Sequence, residues 1–325
     1  MALVGAANLV PGLGGTQGKI FPQHLAGMLG LPSVGNIFYV DPGAGSDTAN
    51  SGTSRDDAFA TVTAAYAALT ADQDDVVIIS GSSSTGRTAE TAAINWAKRR
   101  THIVGDGPLR KINPRNGMGF GSAVVSPCFT VSTTDCSFTN ISIATFEDIN
   151  VLATVTGDYN TFNNVHFQGM GIQASADDAE GRSLVINDAE ENEFYNCTIG
   201  LDTVTRGAAN ASLELTGNCA RNKFYGCDFP IFTDAATPLW IKADTGNAYE
   251  RFLVLDNCTF FNPDGSSSTT LTIGFDLSTT GNGDIYMLNS WWRGATDLAN
   301  NYTRLFTNMN VVNTANQGLV IVAAT

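Results

Sequence analysis

One short phrase recurs six times between residues 138 and 292, and it constrains the fold more than any other feature of the chain. It consists of a large apolar residue, one residue, an asparagine, a small apolar residue, one residue and another large apolar residue. We call the asparagine positions the anchors, and in the fourth copy a glycine replaces the asparagine. The anchors are Asn140, Asn164, Asn196, Gly226, Asn257 and Asn289. Successive anchors are 24, 32, 30, 31 and 32 residues apart. Self-similarity at such a period predicts a solenoid.

The phrase also predicts a bend at each anchor. Phe194 and Cys197 flank Asn196 and are three residues apart, so a straight strand would place them on opposite faces. A left-handed residue between them returns both side chains to the interior, and Asn and Gly adopt that conformation most readily. A further apolar strand that ends in a polar corner precedes the phrase, as in Leu213–Leu215 before Gly217. Three short strands per coil predict a parallel β-helix.

The lead-in and the repeats together resemble the right-handed parallel β-helix of the pectate-lyase-like superfamily, whose coils carry an asparagine ladder at one bend. The resemblance covers roughly residues 36–320, including a short strand at 38–40 and an amphipathic helix predicted over 59–71. It implies an all-β solenoid in a single domain, residues 36–325, with a lead-in and capping helix at 36–72 and coils at 75–322. The superfamily contains lyases, hydrolases, adhesins and virus-particle proteins, so the resemblance is specific for fold rather than for function.

The first 35 residues differ from the rest of the chain. Residues 1–33 contain one charged side chain, Lys19, and many glycines beside scattered apolar residues. Such a segment cannot build a core of its own and is too apolar for an ordinary solvated tail. A flexible leader is one interpretation. The other is an extended attachment arm, residues 1–35, that becomes ordered against a partner surface.

The six cysteines lack metal-ligand spacing, and three of them occupy the same position after an anchor: Cys197, Cys227 and Cys258. We expect these to form an interior ladder of free thiols, and we expect no cofactor and no metal site. No run of 18 apolar residues is present, so no membrane span is expected.

Charge is unevenly distributed along the chain. Residues 1–120 are neutral overall, whereas residues 121–325 hold 8 Lys/Arg and 22 Asp/Glu and account for the whole net charge of −14. An acidic solenoid repels nucleic acid, which argues against such a partner. One cationic patch is predicted, as a solvated surface or a contact with a neighbouring subunit. It comprises Lys98, Arg99, Arg100, Arg110, Lys111 and Arg115.

Carboxylates are the realistic catalytic candidates, because glycoside cleavage needs two of them facing one bond. Asp177, Asp178 and Glu180 cluster in one long excursion, and Asp202 and Arg206 lie in the next. These loops could form the wall of a groove, although acidic loops are solvated far more often than catalytic. The Gly-His-Gly and Arg-Ile-Lys signatures of polygalacturonase-type hydrolases and the Arg-x-Pro-x-x-Arg context of pectate lyases are absent. His166 lies between two apolar residues, so we expect it to point outward and to be exposed.

These observations favour a structural protein without a catalytic residue. The lead-in also resembles that of β-helix proteins encoded with bacteriophage structural genes. We therefore expect a non-enzymatic decoration or spike subunit on the virion surface, a homotrimer docked through residues 1–35 to the major capsid protein or a tail protein. The alternative is a tailspike or tail-fibre depolymerase, a glycan hydrolase or lyase that acts on a host surface glycan. A third hypothesis is a glycan-binding adhesin that uses Trp291 or Trp240.

Overall fold

The computed structural model describes residues 27, 29–30, 34–83, 86–263 and 268–308. The predicted attachment arm, residues 1–35, lies almost entirely outside the described residues, and so does the end of the predicted coils beyond residue 308. Their predicted roles stay predictions. Among the helices within the described ranges, none is long and apolar enough to cross a membrane.

The chain winds into a parallel β-helix in which the complete coils carry strand segments on three faces, and equivalent segments of successive coils stack. Face A comprises β1 (Ile37–Val40), β2 (Asp75–Ile79), β5 (Thr101–Gly105), β8 (Ser137–Thr145), β10 (Thr161–Gln168), β12 (Glu193–Tyr195), β15 (Lys223–Tyr225), β18 (Arg251–Asp256), β21 (Gly283–Leu288) and β24 (Leu305–Thr307). Face B comprises β3 (Arg87–Glu90), β6 (Gly117–Phe120), the second halves of β8 and β10, β13 (Thr198–Ile199), β16 (Asp228–Pro230), β19 (Thr259–Phe261) and β22 (Trp291–Arg293). Face C comprises β4 (Ile94–Trp96), β7 (Phe129–Val131), β9 (Val151–Val155), β11 (Arg182–Asn187), β14 (Ala211–Thr216), β17 (Leu239–Ala243), β20 (Leu271–Leu277) and β23 (Ala295–Ala299).

The anchors form the corner between faces A and B. All six have positive φ, from 49° at Asn289 to 64° at Gly226. The strands β8 and β10 run through their anchors without a break, so faces A and B belong to one hydrogen-bonded sheet. The bend therefore changes the direction of the chain and still leaves the flanking backbone groups paired.

Aromatic side chains stack along the interior from coil to coil. The ring centroids of Phe138, Phe162, Phe194 and Phe224 are 5.0, 4.6 and 4.5 Å apart in succession, with interplanar angles of 10° or less. All four side chains are fully buried. The parallel register places equivalent residues directly above one another, so this ladder follows from the repeat.

The cysteine ladder forms beside the aromatic one, as predicted. Cys197, Cys227 and Cys258 are free and buried. Each thiol donates a hydrogen bond of 3.4 to 3.5 Å to a phenylalanine carbonyl of the preceding coil. Burial raises the pKa of Cys227 and of Cys258 well above the usual value, so both remain protonated thiols.

Asparagine side chains form the most regular polar ladder away from the anchors. The backbone N–H of Asn160 donates to Oδ1 of Asn192 at 2.9 Å, and that of Asn192 donates to Oδ1 of Asn222 at 3.0 Å. At the anchors, Nδ2 of Asn164 donates to Oδ1 of Asn140 at 2.7 Å. Gly226 has no side chain to continue that series, so the anchor amides do not form one unbroken ladder.

A short helix covers the first coil, as predicted, but it spans Val62–Ala68 (α1) rather than residues 59–71. The carboxylate of Glu90 accepts hydrogen bonds from the first backbone N–H groups of α1, and Nζ of Lys98 donates to three carbonyl groups at its end. Opposite charges thus complement both ends of the helix dipole. Residues 34–308 also contain, within the described ranges, a 3-10 turn at Arg55–Asp57 and a single helical turn at Gln173–Ala176 (α2).

Candidate functional site

A row of polar side chains runs along the outer surface of face B. The parallel register aligns Arg87 with Gly117, Gly117 with Ser142, Ser142 with His166, His166 with Thr198, and Thr198 with Asp228. From Ser142 onward, each of these residues stands two positions after its anchor. The repeat that builds the core therefore also sets the position of this row.

The loop at residues 106–116, between β5 and β6, folds across the row and covers four coils. The backbone N–H of Asn113 donates to Nδ1 of His166 at 2.8 Å. The carbonyl of Lys111 accepts a hydrogen bond of 2.9 Å from the Thr198 hydroxyl, and Nζ of Lys111 lies 2.7 Å from a carboxylate oxygen of Asp228. The loop thus rests on the row through both backbone and side-chain contacts.

This covering loop shows that the predicted exposure of His166 is wrong. The residue is 1% exposed. Nε2 donates to the carbonyl of Gly200 at 2.9 Å, while Nδ1 accepts from Asn113. Burial is the main cause that lowers the pKa of His166 to about 4. The ring is neutral at physiological pH, and both of its nitrogens are engaged.

Arg87 extends from β3 over Gly117 of β6 toward β8 and β10. Its Nε lies 3.2 Å from the Ser142 hydroxyl, and Nη2 donates to Oδ1 of Asn113 at 2.5 Å and to Oε1 of Gln168 at 2.9 Å. The guanidinium lies 5.4 Å from the ring centre of Phe146. Burial, and then the charge of Arg115, lower the pKa of Arg87 below its usual value. Arg87 is therefore a positioned cation that these neutral side chains hold in place.

Two cavities meet at Arg87 and Phe146 and together form a groove along face B. One, of about 220 Å³, extends over Asn113, Gln168 and Asp202 as far as Pro230. The other, of about 290 Å³, extends over residues 88–91 and 119–121. The groove crosses from the coil of β3 to the coil of β16, which is five strand steps or roughly 24 Å at about 4.8 Å per step. Its shape fits an extended chain.

The predicted carboxylate cluster lies outside this groove. Asp177 and Glu180 are exposed, and Asp178 is half-buried. Oδ1 of Asp177 accepts from the Gln173 amide, and Oδ1 of Asp178 accepts from the backbone N–H of Glu180, both at 2.8 Å. The Asp177 and Asp178 side chains stabilise their own loop, and none of the three lines either cavity. The neighbouring excursion does reach the groove, through Asp202.

The predicted cationic patch is also divided. Lys98 caps α1, Arg99 pairs with Asp72, and Arg100 pairs with Asp74. Lys111 belongs instead to the loop that covers face B. The predicted patch is divided because strand β5 (Thr101–Gly105) separates residues 98–100 from residues 110–115. The two groups of basic residues therefore make contacts in different parts of the fold.

Metal-binding clusters of three or more His, Cys, Asp or Glu side chains do not occur among the residues that the structure describes.

The Arg87 guanidinium and the 106–116 loop are the features of the candidate site that sequence reasoning missed. The sequence feature that could have indicated this site is a polar residue two positions after the anchor in four successive coils.

The same fold is found in solved structures of carbohydrate-active enzymes. Pectate lyase Pel9A aligns with a TM-score of 0.56 at 17% identity, over 85% of this chain and 68% of that one. Pectin methylesterase PemA from Erwinia chrysanthemi aligns with a TM-score of 0.55 at 13% identity, over 86% of this chain and 92% of that one. A pectin methylesterase variant in complex with a hexasaccharide aligns at 0.54 and 13% identity, with the same coverage. These likenesses show the parallel β-helix fold.

No family model matches the chain, and no curated protein does. The structural comparison overturns the expectation that the chain is not an enzyme, because the structures that share its fold are a lyase and esterases. The prediction from the sequence relied on the absence of local catalytic motifs. A groove can be built from residues far apart in the chain, and such residues form no local signature.

Proposed function

We propose that this protein binds a polysaccharide along the groove on face B and cleaves it. The observation that carries the proposal is the pair of cavities that share Arg87 and Phe146 and together span about five strand steps. The lyase and esterases that share the fold support a carbohydrate as the substrate class. This is the alternative that the sequence left open.

The groove offers contacts suited to a sugar chain. Phe146 is 50% exposed, and its ring provides an apolar face beside the Arg87 guanidinium. Asn113 and Thr203 add amide and hydroxyl groups that can bind sugar hydroxyls. A few placed polar groups on a partly apolar wall are typical of a site that orients a ligand.

The carboxylates of the groove argue against hydrolysis by a carboxylate pair. Two carboxylates line it, Glu90 and Asp202. Glu90 is 1% exposed, and its oxygens accept hydrogen bonds from the backbone of Val62 and Thr63. That leaves Asp202 as the accessible carboxylate of the groove, whereas glycoside hydrolysis of the usual kind needs two.

Elimination suits the residues present better. In that reaction a base removes the proton on the carbon next to a uronate carboxylate, and the glycosidic oxygen leaves from the adjacent carbon with the bonding electrons. The developing negative charge on the carboxylate needs a fixed cation, which Arg87 supplies. Asp202 is our candidate for the base. The proposed class is therefore a polysaccharide lyase.

The test is an assay on a panel of polysaccharides that contains polyuronates, capsular polysaccharides and neutral glycans. Elimination gives an unsaturated product that absorbs in the ultraviolet, and hydrolysis gives new reducing ends without that absorbance. We expect ultraviolet-absorbing product from an acidic polysaccharide. The variant Arg87→Met should lose about 100-fold or more of that activity, in the range for removing one group that stabilises a developing charge.

The control variant is Arg221→Met, because Arg221 pairs with Glu190 and Glu191 on a surface away from the groove. It should keep full activity. The triple alanine variant of Asp177, Asp178 and Glu180 should also keep it. Full activity in Arg87→Met, or no product from any polysaccharide of the panel, would exclude the proposal. Attachment to a phage particle through residues 1–35, a location on the virion surface and a homotrimer stay predictions.

A further inference from the structure

Arg206 is a buried cation without a hydrogen-bond partner for two of its nitrogens. It lies in the excursion between β13 and β14, and its backbone N–H donates to the carbonyl of Phe232 at 2.9 Å. The residue is 1% exposed. Within the described part of the chain, neither Nη1 nor Nη2 finds an acceptor. Burying a guanidinium in this way costs several kcal/mol unless a partner compensates it.

The charged groups around Arg206 do not supply that partner. Burial, and then the like charge of Arg182, lower the pKa of Arg206 to about 9, so the side chain is still ionised at neutral pH. Arg182 is itself paired with Glu214, which Lys242 also approaches at 3.2 Å. Among the described residues, no ion pair joins Arg206 to a carboxylate. The residues that the structure describes therefore do not neutralise this buried positive charge.

Serine hydroxyls without partners lie in the same region. Ser183 and Ser212 occupy adjacent positions in neighbouring coils, because Leu184 aligns with Leu213. Neither hydroxyl has a hydrogen-bond partner within the described ranges. A side chain added at Gly200 would place its Cβ 2.8 Å from Oγ of Ser212 and 3.0 Å from Nη2 of Arg206. The hydroxyl and the guanidinium therefore lie on the same side of Gly200, at most 2.8 plus 3.0, or 5.8 Å, apart, a separation that one small ligand can bridge.

We propose that a small inorganic anion of the halide class occupies this site, held by the Arg206 guanidinium and the Ser212 hydroxyl. Water is the competing occupant, since the Pro230 carbonyl, a hydrogen-bond acceptor, lies 2.7 Å from the same Cβ position. A water molecule would satisfy hydrogen bonds but would leave the charge uncompensated, whereas an anion does both. Arg206, Ser212 and Gly200 are all buried, so we expect the anion to be a structural component bound on folding. This inference does not depend on the proposed enzymatic activity.

The first test uses the unmodified protein. Crystals grown in sodium bromide should show an anomalous peak beside Nη2 of Arg206 when measured at the bromine edge. In solution, the protein should melt at a higher temperature in chloride or bromide than in gluconate at equal ionic strength. The melting temperature should rise with the logarithm of halide concentration, because a ligand that binds only the folded state stabilises it by mass action.

The variants Arg206→Met and Ser212→Ala separate this site from general salt effects. Arg206→Met should abolish the difference between halide and gluconate, and Ser212→Ala should shift the response to higher halide concentration. The control Arg221→Met removes an exposed arginine and should keep the full difference. If Arg206→Met does not fold, Ser212→Ala and the bromide crystals still decide the question. Density of water without an anomalous peak, together with equal melting in halide and gluconate, would overturn the proposal.

Discussion

The backbone N–H of Asn113 donates a hydrogen bond of 2.8 Å to Nδ1 of His166, and this contact joins the 106–116 loop to the outer surface of the solenoid. It fixes the ring as the tautomer that carries its proton on Nε2, which donates to the Gly200 carbonyl. His166 therefore holds together three segments that line the groove, and it has no free nitrogen for proton transfer.

We expect His166 to make stability depend on pH. Burial lowers its pKa from 6.5 to about 4, so between these values the unfolded chain binds more protons than the folded one. Its contribution is complete above about pH 6.5 and is lost as the pH falls toward 4. The total loss is on the order of 3 kcal/mol. Arg87 and Asp228 are the charged groups that face the ring.

The measurement is urea denaturation from pH 4 to 7.5, with His166→Gln as the comparison. Glutamine keeps one acceptor and one donor but does not titrate, so the pH dependence of the wild type should exceed that of the variant. His102 remains in both proteins and provides the internal control, because burial also lowers its pKa. Identical pH dependence in the two proteins would contradict the burial of His166.

The aromatic ladder predicts a large effect at Phe224. The side chain is fully buried, and its ring centroid lies 4.5 Å from that of Phe194. Phe224→Ala should lower the free energy of unfolding by about 3–5 kcal/mol, because it removes a large core side chain and leaves a cavity. Phe306→Ala is the control, since Phe306 is 49% exposed, and it should cost less than about 1 kcal/mol. A small loss at Phe224 would show that the interior collapses around the deletion.

The anchors predict a second contrast. Asn196 has a φ of 52°, a conformation that is unfavourable for a β-branched residue by about 1–2 kcal/mol. Asn196→Val should therefore destabilise the protein by at least that amount, whereas Asn196→Gly should be better tolerated, as in the natural coil with Gly226. Asn163→Val changes an exposed strand residue of the adjacent coil and should be nearly neutral. Denaturant unfolding of the three variants gives the comparison.

The sequence was sufficient to predict the coils because each copy of the repeat specifies the local backbone geometry. Residues flanking Asn196 specify which side chains point inward and where the backbone must bend, and neither needs a distant partner. The groove was not predictable in the same way. Asn113 and His166 are 53 residues apart, and Arg87 reaches Gln168 across 81 residues. No local sequence pattern shows that the loop after β5 lies over coils formed by residues later in the chain.

The sequence could nevertheless have indicated where to look. Ser142, His166, Thr198 and Asp228 are polar residues at one position of the repeat, and a polar row along one face is available for contact. What it could not show is that the row is covered at His166 and open at Arg87. That difference depends on the path of residues 106–116, which carry no repeat of their own.

The ion pair between Lys111 and Asp228 predicts how firmly this loop is held. Nζ lies 2.7 Å from the carboxylate, and both side chains are partly buried. A partly exposed pair of this kind contributes about 0.2–1 kcal/mol. Asp228→Asn should therefore raise the fraction of molecules with an open loop by up to about fivefold, since 1.4 kcal/mol corresponds to a factor of ten. The loop contains Arg110, Lys111 and Arg115, so trypsin reports its opening.

Limited proteolysis of the folded protein should show faster cleavage within residues 106–116 in Asp228→Asn, because cleavage follows the population of the open form. Asp284→Asn removes the exposed pair with Arg304, at 3.2 Å, and should leave this cleavage unchanged. Opening the loop also withdraws Asn113 from Arg87, so Asp228→Asn should weaken polysaccharide binding in the groove while the melting temperature changes little. Equal cleavage rates in Asp228→Asn and the wild type would show that backbone contacts alone hold the loop.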